Sequence, residues 1–455
     1  MFDTLKAMLG RIGADYADVR HEVKKETVVG FNGKELTRVT TNSTDGFVMR
    51  ALYKGGFSSV AFTRPEDAPK AAAALMENTR LLARTIKVPA SLAKVAAARE
   101  YFRPEMSEDP SAVSLEEKIE LARAYNAIPL KNPKVVSTNL AYTETSRDKH
   151  FVSTEGAEIR EELVTVSFSG MATAKEGALT QSINFMIGGS DGFSTLRNRE
   201  PLFNERTELL DRLLTAKPVT GGAYNVLLDH ELGGVFTHEA FGHFSEGDIV
   251  ENMPDLRKKM HLGAQLGSPA VSIVDDPTLP HQLGFYKYDD EGVPARRVEL
   301  MRDGVLRGRL HSRRTAAAFG EPPTGHCVAE DYRFAPMVRM GTIMILPDPA
   351  MNLDRLLARL GDGLYLCGSK GGQTSGENFT FGAAYGFEVK GGKIAGMVRD
   401  INIMGNLFST LKNIAAVGGD VHLSERGGCG KGQTNIRSCH GGPQVLINNA
   451  VVGGR

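Results

Sequence analysis

The chain has 455 residues, 41% of them apolar and 24% charged, with 54 basic and 54 acidic side chains. That length exceeds one ordinary hydrophobic core and predicts two or three domains. The zero formal charge argues against a nucleic-acid partner, which calls for a basic surplus. Nowhere do about 18 consecutive apolar residues mark a membrane span.

The first residues, MFDTLKAMLGRIGADYADVR, show no charged run ahead of an apolar segment and no small-residue cleavage site, so no secretory signal is expected. The four cysteines, at 327, 367, 429 and 439, form no CxxC pair. Reduced thiols and a cytoplasmic location follow as the expectation. Glycine is abundant, 50 residues without a collagen or linker pattern. Many tight turns, and hence a β-rich architecture, are the predicted consequence.

Residues 1–11 read as a short amphipathic helix. From Tyr16 to Phe62 the texture becomes alternating, with Asn32-Gly33 and Gly55-Gly56 as turn signals. That pattern predicts three or four antiparallel strands. Pro65–Arg84, rich in Ala and Leu, predicts a helix, and Ser114 with Glu117 forms the capping-box spacing of a second. Strands are expected from Val135 to about Ile187, then a helix over Asn204–Ala216. The segment KPVTGGAY (217–224) reads as the boundary between a domain over 1–217 and one over 222–455. Beyond it lie many short strand candidates, including hairpins around Asp303-Gly304 and Gly391-Gly392.

Leu227–Gly247 carries the chemistry. Asp229 is placed as an N-cap, and Leu232, Val235, Phe236, Ala240 and Phe241 fall at helical spacing. Within this helix stands His238-Glu239-x-x-x-His243. In the familiar HExxH the histidines are four apart, about 40° around the helix, so both reach one metal. Five apart, they are separated by about 140° on a regular helix. A shared metal therefore requires a local distortion, for which Gly242 is well placed. Neutral imidazoles can hold Zn²⁺ while Glu239 acts as base toward a water whose pKa the metal lowers to about 7. Catalytic zinc takes three protein ligands. Cys429, Cys439-His440, His326-Cys327 and Glu246 are all available, and spacing does not choose among them. Glu246 and Asp248 read either as residues that orient an imidazole or as a solvated helix end, and His326 and Lys431 as loop residues first, with stabilisation of a developing oxyanion as the alternative. Without a metal, the same motif is two histidines on a helix.

THEAFGHFSEGD (237–248) resembles the signature helix of the TldD/PmbA family. ELMRDGVLRGRLHSRRTAAAFGEPPTGH, GGQTSGENFTFGAAYGFEVKGGKIAGMVRDINIMGN and CGKGQ are similar to further family segments, so the resemblance spans nearly the whole chain. RSCHGG (437–442) and TGHC (324–327) depart from the family pattern. The resemblance implies an α+β protein, with an N-terminal domain of antiparallel sheet and helices and a C-terminal β-rich, barrel-like domain carrying the metal helix. It implies a TldD-type catalytic chain: a zinc peptidase acting on unfolded or flexible peptides. In it His238, His243 and Cys429 are ligands and Glu239 is the base. It also implies a dimer, with itself or with a PmbA/TldE-like sister chain. The rival expectations are a non-catalytic subunit stabilised by a metal and a hydrolase of small amides.

Overall fold

The computed structural model describes residues 1–425 and 427–454. In the first half, alternation becomes a seven-stranded sheet of unusually long strands. Tyr16–Asn32, Glu35–Tyr53 and Gly56–Phe62 run antiparallel, with positive φ at Gly33 and at the Lys54-Gly55 pair. Two-residue hairpin turns need that backbone conformation. Val135–Ser153, Glu158–Glu176 and Leu179–Gly189 continue the sheet on the other side of Tyr16–Asn32, and Arg99–Phe102 adds in parallel to Glu158–Glu176.

Four helices cover one face of this sheet. Phe2–Leu9 and Ala68–Thr85 bury Leu5, Met8, Ala72 and Leu75 against Val19, Phe47 and Met49. Leu115–Ala127 and Glu200–Leu213 pack Tyr125, Phe203 and Leu210 against Tyr142, Phe168 and Phe185. Ser114 caps the third helix through the Glu117 N–H, 3.1 Å away, at the position the sequence signalled. The fourth starts at Glu200 rather than Asn204, because Pro201 sits in its first turn, where its missing N–H costs nothing. Side-chain alternation then leaves the opposite face polar: Arg20, Glu22 and Lys24 share it with Arg147, Lys149, Glu161 and Thr165. That face is turned to the second half of the chain.

There, Gly222–Leu228 pairs with Gly363–Ser375 and Val445–Gly453. Gly363–Ser375 continues to Asn378–Lys390, then Ile401–Asn406, which returns to Val445–Gly453 and closes a barrel. Beside the barrel lies a six-stranded sheet ordered Val305–Leu306, Val298–Arg302, Ile273–Asp275, Thr342–Ile345, Cys439–Gly442, His422–Leu423. Barrel and sheet share one apolar core that includes Leu228, Phe236, Phe241, Ile343, Phe381 and Ile447. The expected α+β architecture, with a β-barrel in the C-terminal region, is the one observed. The turns at Asp303-Gly304 and Gly391-Gly392 have positive φ at both residues. Among the described residues, no helix is long and apolar enough to cross a membrane.

Candidate metal centre

The metal motif begins where a barrel strand ends. Gly222–Leu228 delivers Asp229, whose Oδ1 accepts the Leu232 N–H at 2.8 Å and whose Oδ2 accepts the Gly368 N–H at 2.8 Å. One carboxylate thus caps the helix His230–Phe236 and ties it to Gly363–Ser375. Burial pushes its pKa up to about 6, with Glu231 adding to the effect against the two N–H donors. Phe236 packs edge-on against Phe379 and Phe381, so the apolar stripe read from the sequence faces the barrel core.

The helix does not continue regularly. Thr237–Gly242 is a π-turn, followed by a tight single turn over His243–Ser245. A π-turn closes on the fifth residue rather than the fourth, so residues five apart come to one side. That is the distortion a five-residue spacing requires. Gly242 itself has ordinary helical torsions, φ −56° and ψ −48°. Its role is close packing: a Cβ there would run into the Met340 sulfur, and Ile343 also lies against it.

His238, Glu239, His243 and Cys429 converge, with one donor atom of each within 4.8 Å of all the others. The Cys429 Sγ is 3.8 Å from His243 Nε2, and Glu239 Oε2 is 3.6 Å from the same nitrogen. Ligands on a tetrahedral zinc stand about 3.5 Å apart, so the spacing suits one such ion after a small contraction. The rings of His238 and His243 meet nearly perpendicular, centroids 5.2 Å apart. His238 is buried, and its Nδ1 has no hydrogen-bond partner among the described residues. Burial, then the neighbouring His243, His440 and Arg339, hold it neutral. A buried neutral imidazole with an orphaned nitrogen is the donor a zinc ion takes.

His243 is oriented from behind. Its Nδ1 lies 3.3 Å from Glu246, which is fully buried and also 3.5 Å from Arg339. Burial lowers the His243 pKa, but the contacts to Cys429 and Glu246 more than reverse this, taking it to about 9. Glu246 goes the other way: burial raises its pKa, and His243, Arg339 and Lys431 together bring it below the ordinary value. Lys431, two residues after Cys429, donates to Glu246 at 2.6 Å, Asp248 at 2.8 Å and the Val338 carbonyl at 3.1 Å. It clamps the cysteine loop to the end of the helix. All three of its protons are engaged, so it is not placed as an oxyanion donor. Cys429 itself pairs with Ile436 through reciprocal backbone bonds of 3.1 and 3.0 Å, in a hairpin.

The remaining candidate ligands fall elsewhere. Cys439 is buried, its pKa pushed up to about 12, with Sγ on the Ser424 carbonyl at 3.2 Å. His326 is fully buried between Asp275 at 3.0 Å and the Thr324 carbonyl at 2.9 Å. Cys327 is likewise buried, outside the cluster. His440 does reach the cleft, its ring 5.5 Å from that of His238. The cleft, about 280 Å³, is walled by Ser369, Gly371 and Gly372 of the barrel hairpin and by Gly428 and Gly430. Sequence reasoning read that stretch as a family segment without placing it at the site. Its signal was the SKGGQTSG run, in which two adjacent glycines let a backbone approach a site closely.

The chain is similar to known proteins along nearly its whole length. Residues 221–454 match the PmbA/TldA metallopeptidase C-terminal domain, 108–217 its central domain and 17–79 its domain 1. A Synechocystis metalloprotease is 33% identical over 99% of this chain and 98% of its own. A Saccharolobus solfataricus protein named as a zinc metalloprotease TldD homolog is 28% identical over 97% of each. Crystal structures from Thermotoga maritima (TM-score 0.80, 23% identity, 99% of each chain) and of TldE from Thermococcus kodakarensis (TM-score 0.79, 16% identity, 100% of each) share the fold. With all three family domains matched in order around a convergent His, Glu, His and Cys cluster, the chain belongs to the PmbA/TldD metallopeptidase family.

Proposed function

We propose that this chain is a zinc-dependent peptidase of extended, unfolded peptides, in which His238, His243 and Cys429 hold the ion and Glu239 is the base. The observation that carries the reading is the convergence of these four side chains at a π-turn, with His243 backed by Glu246. A zinc ion there would supply Lewis acidity, polarising the peptide carbonyl and lowering the pKa of water to about 7. Glu239, about three-tenths exposed to the cleft, is the carboxylate placed to accept a proton from a water in the cleft and to return it to the leaving amine. Its own backbone carbonyl accepts from Thr374, which keeps the carboxylate in register with the barrel hairpin. Gly371 and Gly372 leave the strand edge beside the cleft free of side chains, which suits binding of an extended backbone by strand addition.

A second reading has one observation in its favour. The Glu239 carboxylate is near enough to His243 to serve as a fourth ligand, which would give a closed, structural ion in a binding subunit. Glu239→Gln separates the two. A base leaves about one zinc per chain in the variant while peptide cleavage falls by about 10² to 10⁴. Loss of zinc from Glu239→Gln, measured by mass spectrometry, would sink the catalytic assignment. His238→Ala and Cys429→Ala should each release the ion. The likeness to TldE favours a dimer with such a sister chain or with a second copy. The four free cysteines are consistent with a reducing, cytoplasmic setting.

A further inference from the structure

Gly428 is a wall common to two cavities. On one side is the metal cleft. On the other is a cavity of about 250 Å³ between the Cys429 hairpin and the polar face of the long-strand sheet. Hydroxyls of Thr143, Thr165 and Ser167 line its sheet side. Its cations are Lys24, Arg147 and Arg437.

Two of the three have acidic company. Arg147 pairs with Glu22 at 2.7 Å and Asp290 at 3.1 Å. Lys24 shares its strand face with Glu26, two residues on, which lines the same cavity. The other acids in the wall are committed: Glu425 to Arg199 at 2.5 Å, and Glu330 to the N–H groups of Thr434 and Asn435 at 2.7 and 3.2 Å. Arg437 is different. Its Nη2 donates to the Ser190 hydroxyl and the Phe285 carbonyl, both at 2.9 Å and both neutral. Its Nε is buried with no partner among the described residues. Among the described residues, no carboxylate lies within ion-pair distance of it. The buried Glu161 acts on it only from further off and is itself paired with Lys149 at 2.9 Å; a buried guanidinium lacking a close counter-ion is costly, and a carboxylate is the charge that would offset it.

We propose that Arg437 binds a carboxylate of the peptide substrate in this cavity, anchoring the chain behind the Cys429 hairpin while the scissile bond lies in the metal cleft. The proposal rests on the peptidase reading and adds a preference for acidic substrates to it. Arg437 follows Ile436, the residue paired with Cys429, so an anchored carboxylate is held by the same hairpin that carries the metal thiolate. The carboxylate has two sources, a C-terminus or an Asp or Glu side chain.

The test uses the full-length protein loaded with zinc and one flexible peptide sequence in three forms: free acid, C-terminal amide, and amide with an internal Gln replaced by Glu. Wild type should favour one carboxylate form over the plain amide by about tenfold or more in kcat/KM. Preference for the free acid identifies the C-terminus, and preference for the Glu peptide identifies a side chain. In Arg437→Gln the preference should collapse to about one, with cleavage of the plain amide retained. Binding of the same peptides, labelled and followed by fluorescence anisotropy, is measured in parallel on the wild type. That readout stands even if Arg437→Gln does not fold. Carboxylate-independent binding by the wild type would overturn the proposal. Carboxylate-dependent binding without any cleavage would instead support the anchor and refute the peptidase.

Discussion

At the scale of single residues, the site is built around His243, which has a different partner on each nitrogen. Nε2 faces Cys429 and Glu239, and Nδ1 faces Glu246. In the metal-free protein its pKa, raised to about 9, keeps it protonated at neutral pH. A metal must displace that proton, so zinc uptake at pH 7 should release at least one proton per chain. The sign of the pH dependence follows. The His243 contribution to metal-free stability is complete below about pH 6.5 and is lost as pH rises through about 9, while apparent zinc affinity climbs over the same window. Zinc titration in weak buffer with a pH indicator checks this; uptake without proton release would show that His243 is not a ligand. The sequence exposed His238, Glu239, His243 and Cys429 through residue type and motif. Spacing could not rank Cys429 above Cys439, which only the family resemblance did, because what separates them is position: one lies half-exposed at the cleft, the other buried against the Ser424 carbonyl.

At the scale of elements, the deciding feature is the π-turn over Thr237–Gly242. A five-residue spacing demands some distortion, and that much follows from helix geometry alone. Which distortion forms is set by packing. Gly242 sits against Met340 and Ile343 on the neighbouring strand and its approach, so the turn can widen without lifting off the core. Gly242→Ala introduces one methyl where no space exists. It should destabilise the protein by about 1–3 kcal/mol and weaken zinc binding by moving His243. Urea unfolding, with and without zinc, measures both. An unchanged midpoint together with full zinc content would mean that the glycine is not what allows the turn.

At the scale of the whole molecule, the two halves meet through buried charge as well as through small apolar clusters, such as Leu163 against Tyr286, Val328 and Ile436. Asp290 stands 3.1 Å from each of Arg20, Arg147 and Lys149, and Arg50 joins Asp18 at 2.6 Å to Glu291 at 3.0 Å. Burial alone would raise the Asp290 pKa, yet the three cations depress it far below the usual carboxylate range. Its contribution to stability is therefore present above about pH 4 and lost only as pH falls further. Asp290→Asn leaves three buried cations facing Glu22 and Glu161 and should cost about 3–5 kcal/mol. Added salt should barely change that cost, since buried pairs are poorly screened. Urea unfolding at low and high ionic strength tests it, and a strongly salt-dependent loss would place the cluster in contact with solvent.

Local chemistry by itself determined much of this protein. Alternation and paired turn residues specified the long strands and hairpins, Ser114 and Asp229 specified helix starts, and His238-Glu239 with His243 specified a candidate metal site. Those signals were legible because each acts within a few residues of chain. The tertiary structure decided the rest. It brought Cys429 alone of the four cysteines into the His, Glu and His cluster, revealed Lys431 as a clamp and His440 as a wall of the cleft, and set Gly371 and Gly372 beside that cluster. These relations join segments tens to hundreds of residues apart, through barrel closure and the docking of two halves. No local pattern in the chain encodes a distance of that kind.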